Sequence, residues 1–312
     1  MKLLIGYDGS DCAKAAVKDL VLAGLPRDVD ALLLSVADLL IKVPYEGQPL
    51  PDTAEGRPAS GLVRTARALA EAAMNDARQS SLEGVELVTS LFPGWAVRSE
   101  VVADSPYWAL IKKADQWTPD LLVVGSHGRS ALGRLFMGSV SQNVLTHAAC
   151  SVRVARTRER PDAAPPRIII GVDGSEHAAA AVEAVIKRDW PEGTQARVLT
   201  AVDPQLSMAI AYDIAFADSP STAGGSDDGV LFAARHNADA IVRRLFQAGV
   251  SASALVERAN PKHHLVEEAR QWNADCIFVG AKGHSRLERF LLGSVSTAVA
   301  ARAHCTVEIV RP

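Results

Sequence analysis

The sequence predicts an α/β protein of two tandem domains, each an open parallel sheet with helices on both faces. Three observations point there. A chain of 312 residues is long for one core of this class. Its opening segment returns once, far along the chain. Short apolar runs alternate with stretches of helical period throughout, the pattern of parallel strands joined by crossover helices.

The first strand of each copy is fixed by the repeat. Gly6-Tyr7-Asp8-Gly9-Ser10 returns as Gly171-Val172-Asp173-Gly174-Ser175, a shift of 165, and each copy closes an apolar run, Leu3–Ile5 and Ile168–Ile170. Gly125, Gly128, Gly138, Ser139 and Cys150 return as Gly280, Gly283, Gly293, Ser294 and Cys305 at a shift of 155, so the first copy carries ten extra residues. Gly84 and Gly249 still differ by 165, whereas Pro106 and Pro261 differ by 155, which places the insert between Gly84 and Pro106. Pro93-Gly94 lies in that stretch and suggests a turn, with a small hairpin or an extended third strand around it.

Strands are expected near 2–7, 31–37, 85–90 with 97–103, 120–125 and 151–155, then near 167–172, 196–202, 250–257, 275–280 and 305–310. Helices are expected where apolar residues share one face: Leu62, Ala66, Leu69, Ala70, Ala73 and Met74, and Leu231, Ala234, Ala238, Ile241, Val242 and Leu245. Residues 156–166, RTRERPDAAPP, are charged, proline-rich and aperiodic, and read as a linker between domains 1–155 and 167–312. Long Pro/Gly/Ser-rich segments from Asp38 to Ser60 and from Asp203 to Gly229 follow the second strand of each copy and read as lids or as surface chain. Trp117 and Trp272 occupy matching places before the fourth strand, where packing between helix and sheet is expected.

Composition excludes several classes. A net charge of −3, with no basic stripe, offers nothing to a phosphate polymer, so no nucleic-acid partner is expected. No apolar run reaches membrane-spanning length, and the chain enters a strand at once without a signal-peptide pattern, so a cytoplasmic protein with no membrane partner is expected. Cys12, Cys150, Cys276 and Cys305 lack metal or disulfide spacing and read as buried thiols.

The chemistry concentrates after the fourth strand. Gly125-Ser126-His127-Gly128 leads through nine residues to Gly138-Ser139-Val140-Ser141, and the second copy repeats the pattern G-x2-G-x9-G-S from Gly280 through Gly283 to Gly293-Ser294-Val295-Ser296. A strand followed by glycines lets backbone approach a ligand, and a helix mouth with free N–H groups suits a phosphate. Ser139 and Ser294 could cap that helix or donate to a phosphate oxygen. Asp8 and Asp173, just past the first strands, read as a turn or helix cap, or as ligand contacts. His127 and His284 have no partner at metal spacing and read as solvated. The Walker and dinucleotide patterns are both missing. Neither a catalytic triad nor a residue placed to orient water is evident, so no catalytic residue and no metal ligand are assigned.

These motifs, with an Asp past the first strand and a Val-Ser helix after the last glycine, resemble the universal stress protein family across essentially the whole chain, twice. The resemblance implies the adenine-nucleotide α-hydrolase-like fold with sheet order 3-2-1-4-5, whose switch point lies between strands 1 and 4. It implies ATP or a related adenine nucleotide as ligand, with or without Mg2+. Asp8 and Gly125 would approach the ribose, Val36 would offer main-chain bonds to adenine, and Gly128, Gly138, Ser139, Val140 and Ser141 would line the phosphates. Asp173, Gly280, Ala201, Gly283, Gly293, Ser294, Val295 and Ser296 would do the same in the second copy. A stress-response module without strong turnover is expected, with a weak ATPase or a nucleotide-free dimerisation scaffold as alternatives. Family members commonly pair through the last strand, where this chain has Arg153 and Glu308 in apolar runs. An intrachain pseudo-dimer with those charges near the seam is therefore expected, and a homodimer of whole chains is compatible with it.

Overall fold

The computed structural model describes residues 1–38, 61–128, 137–156, 164–203, 227–283 and 292–312. The first half runs β1 (Lys2–Gly6), α1 (Asp11–Asp19), β2 (Asp30–Ala37), α2 (Gly61–Leu91), β3 (Ala96–Ala103), α3 (Pro106–Trp117), β4 (Leu121–Gly125), α4 (Ser139–His147) and β5 (Ser151–Ala155). The second half repeats it as β6 (Arg167–Gly171), α5 (Glu176–Ile186), β7 (Gln195–Val202), α6 (Asp227–Gln247), β8 (Ser251–Arg258), α7 (Pro261–Gln271), β9 (Cys276–Gly280), α8 (Ser294–Arg302) and β10 (Thr306–Val310).

Each half has the order 3-2-1-4-5, but the two form one ten-stranded sheet, β3-β2-β1-β4-β5-β10-β9-β6-β7-β8, rather than the two sheets expected. The reason is the last strands: β5 and β10 pair antiparallel, with Val154 opposite Val307, Arg153 opposite Glu308 and Val152 opposite Ile309. Pairing satisfies the backbone groups of two edges that would otherwise stand open. The expected pseudo-dimer is thus built by strand continuation, with the two expected charges at its centre.

The ten extra residues are helix. Strands β2 and β7 correspond at a shift of 165, β3 and β8 at 155, and between them α2 has 31 residues where α6 has 21. The expected insert between Gly84 and Pro106 is corrected accordingly: Gly84 lies inside α2, and the structural counterpart of Gly249 is Gly94. The strand expected at 85–90 is the last part of α2, since the apolar positions there continue the helix's buried face through Val88. Leu69, expected in the core, is 67% exposed, while Ala70, Met74 and Ala77 carry the buried stripe. The expected lid segments lie almost wholly outside the described residues, as do linker residues 157–163 and His284.

Local signals start the helices. Ser10 and Ser175 are the N-caps of α1 and α5, their hydroxyls accepting from Ala13 N and Ala178 N at 3.2 Å each. Pro106 and Pro261 open α3 and α7, where a missing N–H costs nothing. On one face of the sheet the core is continuous from one half to the other, beneath α3, α4, α7 and α8. On the other face each half has its own cluster. Trp117 and Trp272 pack against the continuous core, and the guanidinium of Arg197 lies 4.3 Å from the Trp272 ring centre, so both aromatics serve packing. Cys276 and Cys305 are buried as expected, but Cys12 and Cys150 are only partly so.

Candidate functional site

The first half opens a cavity of about 440 Å3 at the carboxyl ends of β1 and β4, the switch point of the strand order. That volume falls within the range of small-molecule sites. Its walls come from the end of β1, the end of β2, the N-terminal turns of α3, one face of α2 and the glycine loop leading into α4.

Strand register explains one wall. Strand β1 ends opposite Leu34, and Tyr7 N donates to Leu34 O at 3.0 Å. Main-chain groups alternate along a strand, so those of Val36 point to the same side as those of Leu34, beyond the end of β1. Val36 therefore presents a donor and an acceptor to the cavity. The second half repeats this: Val172 N donates to Leu199 O at 2.9 Å, leaving Ala201 in the equivalent place past β6.

Asp8 holds a turn and also lines the cavity. Its Oδ1 accepts from Ser10 N at 3.0 Å, holding the turn into α1, and its other oxygen faces the glycine loop, for a Cβ on Gly128 would lie 3.0 Å from Oδ2. Asp173 accepts from Ser175 N at 3.0 Å, and a Cβ on Gly283 would lie 2.7 Å from its Oδ2. Glycine at 128 and 283 is what lets the loop and the carboxylate meet.

Gly125 lines the cavity, and packing requires glycine both there and at Gly280. A Cβ at Gly125 would sit 2.8 Å from Cys12 O, and at Gly280 2.5 Å from the His177 carbonyl carbon, so each strand end is pressed against the first turn of α1 or α5. Ser141 and Ser296 are buried, and each donates its hydroxyl at 2.6 Å to the carbonyl of Gly125 or Gly280. They tether the helix start to the strand end. Gly138 and Gly293, not the serines that follow, are the N-caps of α4 and α8; each N–H is donated at 2.8 Å to the carbonyl of Ser126 or Ala281. Ser139 and Ser294 are exposed first-turn residues, and Val140 and Val295 lie partly buried beside them. A glycine N-cap supplies no side-chain acceptor to the first-turn N–H groups of either helix.

Sequence reasoning missed the α2 wall. Ala73, Asp76, Ala77 and Ser80 line the cavity at helical spacing, and Ser80 donates to Asp76 O at 2.8 Å. The available signal was that Asp76 and Ser80 lie at helical spacing from Ala73 and Ala77, which makes one stripe of the helix small and polar. His127 also lines the cavity; its Nδ1 lies 3.0 Å from Ser126 Oγ, and burial, then the charge of Arg156, hold its pKa below the ordinary histidine value. Tyr7 is buried at the floor, with its pKa raised by burial and then by Glu83 and Asp8. Among the described residues no group of three or more His, Cys, Asp or Glu could hold a metal ion, and no helix is long and apolar enough to cross a membrane.

Sequence and fold both resemble those of known proteins. The model of the universal stress protein family matches residues 1–156 and again 166–311. A universal stress protein of Mycolicibacterium smegmatis is 30% identical over 223 residues, covering 70% of each chain. One from Thermus aquaticus is 32% identical over 155 residues, 49% of this chain and 97% of its own. The crystal structure of a universal stress protein from Archaeoglobus fulgidus shares the fold, with a TM-score of 0.60 at 16% identity over 99% of this chain and 96% of that one.

Proposed function

The chain belongs to the universal stress protein family, as two tandem copies of its domain, and we propose that it binds ATP or a related adenine nucleotide in each half and acts as a regulatory module without strong turnover. The observation that carries this reading is the first-half cavity, where three kinds of contact converge. Main-chain N–H and C=O of Val36 suit the paired donor and acceptor of an adenine edge. The Asp8 carboxylate suits ribose hydroxyls. The first turn of α4, which its glycine N-cap leaves without a side-chain acceptor from that residue, suits phosphates through its N–H groups and dipole. Ala201, Asp173, Gly283, Gly293 and α8 offer the same set in the second half.

In this reading Gly125, Gly280, Ser141 and Ser296 shape the loop from behind, and Ser139, Val140, Ser294 and Val295 offer their main chain to the phosphates. Mg2+, where it takes part, would be held by the nucleotide's phosphates, as this ion usually is. The chain's residues bind and orient; none is assigned as a general base.

Calorimetry with Mg-ATP tests the reading, using the intact chain, Gly138→Asp and Gly293→Asp. Aspartate is a favourable N-cap, so each variant keeps its helix while setting a negative charge where a phosphate would sit. The expected result is two sites in the intact chain and one in each variant. No heat and no thermal shift in the intact chain would overturn the reading.

A further inference from the structure

Two arginines exchange places across the seam. Arg156 follows β5 of the first half, yet its Nη2 donates at 2.6 Å to Ala300 O, in the last turn of α8 of the second half. Arg311 follows β10 of the second half, and its Nη2 donates at 2.5 Å to Leu145 O, in the last turn of α4 of the first half. The two arginines, and the two carbonyls, are each 155 residues apart, so the exchange is symmetric. Arg311 is also fixed by Nη1 donating to Cys150 O at 3.1 Å and by its own N donating to Ser151 Oγ at 3.1 Å. A guanidinium at a helix C-terminus satisfies carbonyls that have no partner within the helix and complements the dipole.

The helices so capped are the two whose N-termini face the glycine loops. Each has nine residues, a rod of about 13 Å. The strand residue before each arginine holds the other end of the circuit. Ala155 O accepts from Ser126 N at 3.0 Å in the first loop, and Val310 O accepts from Ala281 N at 2.8 Å in the second. A closed ring results: first loop, Ala155, Arg156, α8, second loop, Val310, Arg311, α4, first loop.

We propose that Arg156 and Arg311 couple the two glycine-loop sites, so that a phosphate-bearing ligand in one half alters the helix that would hold the ligand in the other. This rests on the nucleotide reading above and adds regulation to it. A ligand that constrains Ser126 or Ala281 acts on the next residue of the ring through a main-chain hydrogen bond, and the arginine passes the constraint to the far helix as a charge-assisted one. By linkage the effect must be reciprocal. Between the sites stand one hydrogen bond, one arginine and one short helix in each direction.

Hydrogen exchange on the full chain tests this. In Gly138→Asp only the second site can fill, and α4 lies wholly in the first half. Mg-ATP is expected to slow exchange of the α4 amides about fivefold or more, the low end of ordinary coupling, and adding Arg311→Met, which keeps the side chain's bulk, should abolish that response. Arg156→Met in Gly293→Asp, read at α8, is the mirror experiment and guards against either variant folding poorly. An α4 indifferent to ATP at the second site, or a response that survives Arg311→Met, would overturn the coupling. Calorimetry on the same samples separates the two ideas: if no chain binds ATP, the nucleotide reading falls. The ligand-free arm then decides, since Arg311→Met must by itself quicken exchange in both α4 and residues 280–283, and no change there would overturn the ring.

Discussion

The two faces of the sheet meet the seam differently. Under α3, α4, α7 and α8, Val152 and Val154 lie beside Val307 and Ile309 in one apolar core that crosses between halves without a break. On the opposite face the apolar clusters stop short, and Arg153, fully buried, fills the gap. Its Nε donates to Asp19 at 2.7 Å and its Nη1 to Glu308 at 2.9 Å, while Glu308 also pairs with Arg188. Burial opposes the charge of Arg153, but Asp19 foremost, then Cys276 and Glu308, hold its pKa above the usual arginine value. The apolar face would accept either half as partner. The ionic face would not, because a half paired with its own copy would set Arg153 against Arg153 or Glu308 against Glu308 out of water. Cohesion and selection are thus assigned to opposite faces.

The largest effect is expected from Glu308→Ala, which leaves Arg153 and Arg188 without their shared carboxylate. A loss of about 3–5 kcal/mol in equilibrium urea unfolding is predicted, the usual cost of removing one member of a buried pair. A loss near zero would mean that the network selects nothing. On the apolar face, Ile309→Val removes one methyl from the next position of the same strand. About 1 kcal/mol is predicted by the same measurement. If the two losses came out equal, the division of labour between faces would not stand.

How much of this was legible follows from what each residue's partners are. Arg153 and Glu308 stood out because a charge interrupts an apolar strand. Asp19, Arg188 and the exchange of Arg156 with Arg311 did not, because no sequence period relates α1 to β5, the residues after α5 to β10, or a strand end to a helix of the other half. The glycine loops and both aspartates were legible because their spacing recurs. Their division of labour was not: a glycine required by a neighbouring helix, as at Gly125, and one that admits a carboxylate, as at Gly128, look alike in sequence. The placing of the insert failed on a coincidence, since Gly84 and Gly249 share a spacing but not a place. Extra turns in a helix leave its period intact, so the length of α2 had no punctuation to mark it.

The smallest predicted effect compares the two loops at the matched position just before the second glycine, which is His127 in the first half and Lys282 in the second. Burial and then Arg156 depress the His127 pKa, so the unfolded chain binds more protons than the folded one once pH falls below about 6.5. Stability present above that pH is therefore lost as pH falls towards the folded-state value. His177, also depressed by burial and then by Lys282, adds to the same slope. Thermal midpoints of the intact chain should drop between pH 7.5 and pH 5.5, and His127→Gln should flatten that drop without removing it. Because His127 lines the cavity, its protonation would also bring a positive charge to the first loop, at the position that Lys282 occupies in the second. Mg-ATP should accordingly gain affinity for the first half on acidification while the second half stays level, measured in Gly293→Asp and Gly138→Asp respectively. Equal pH dependence in both would show that the histidine does not face the ligand.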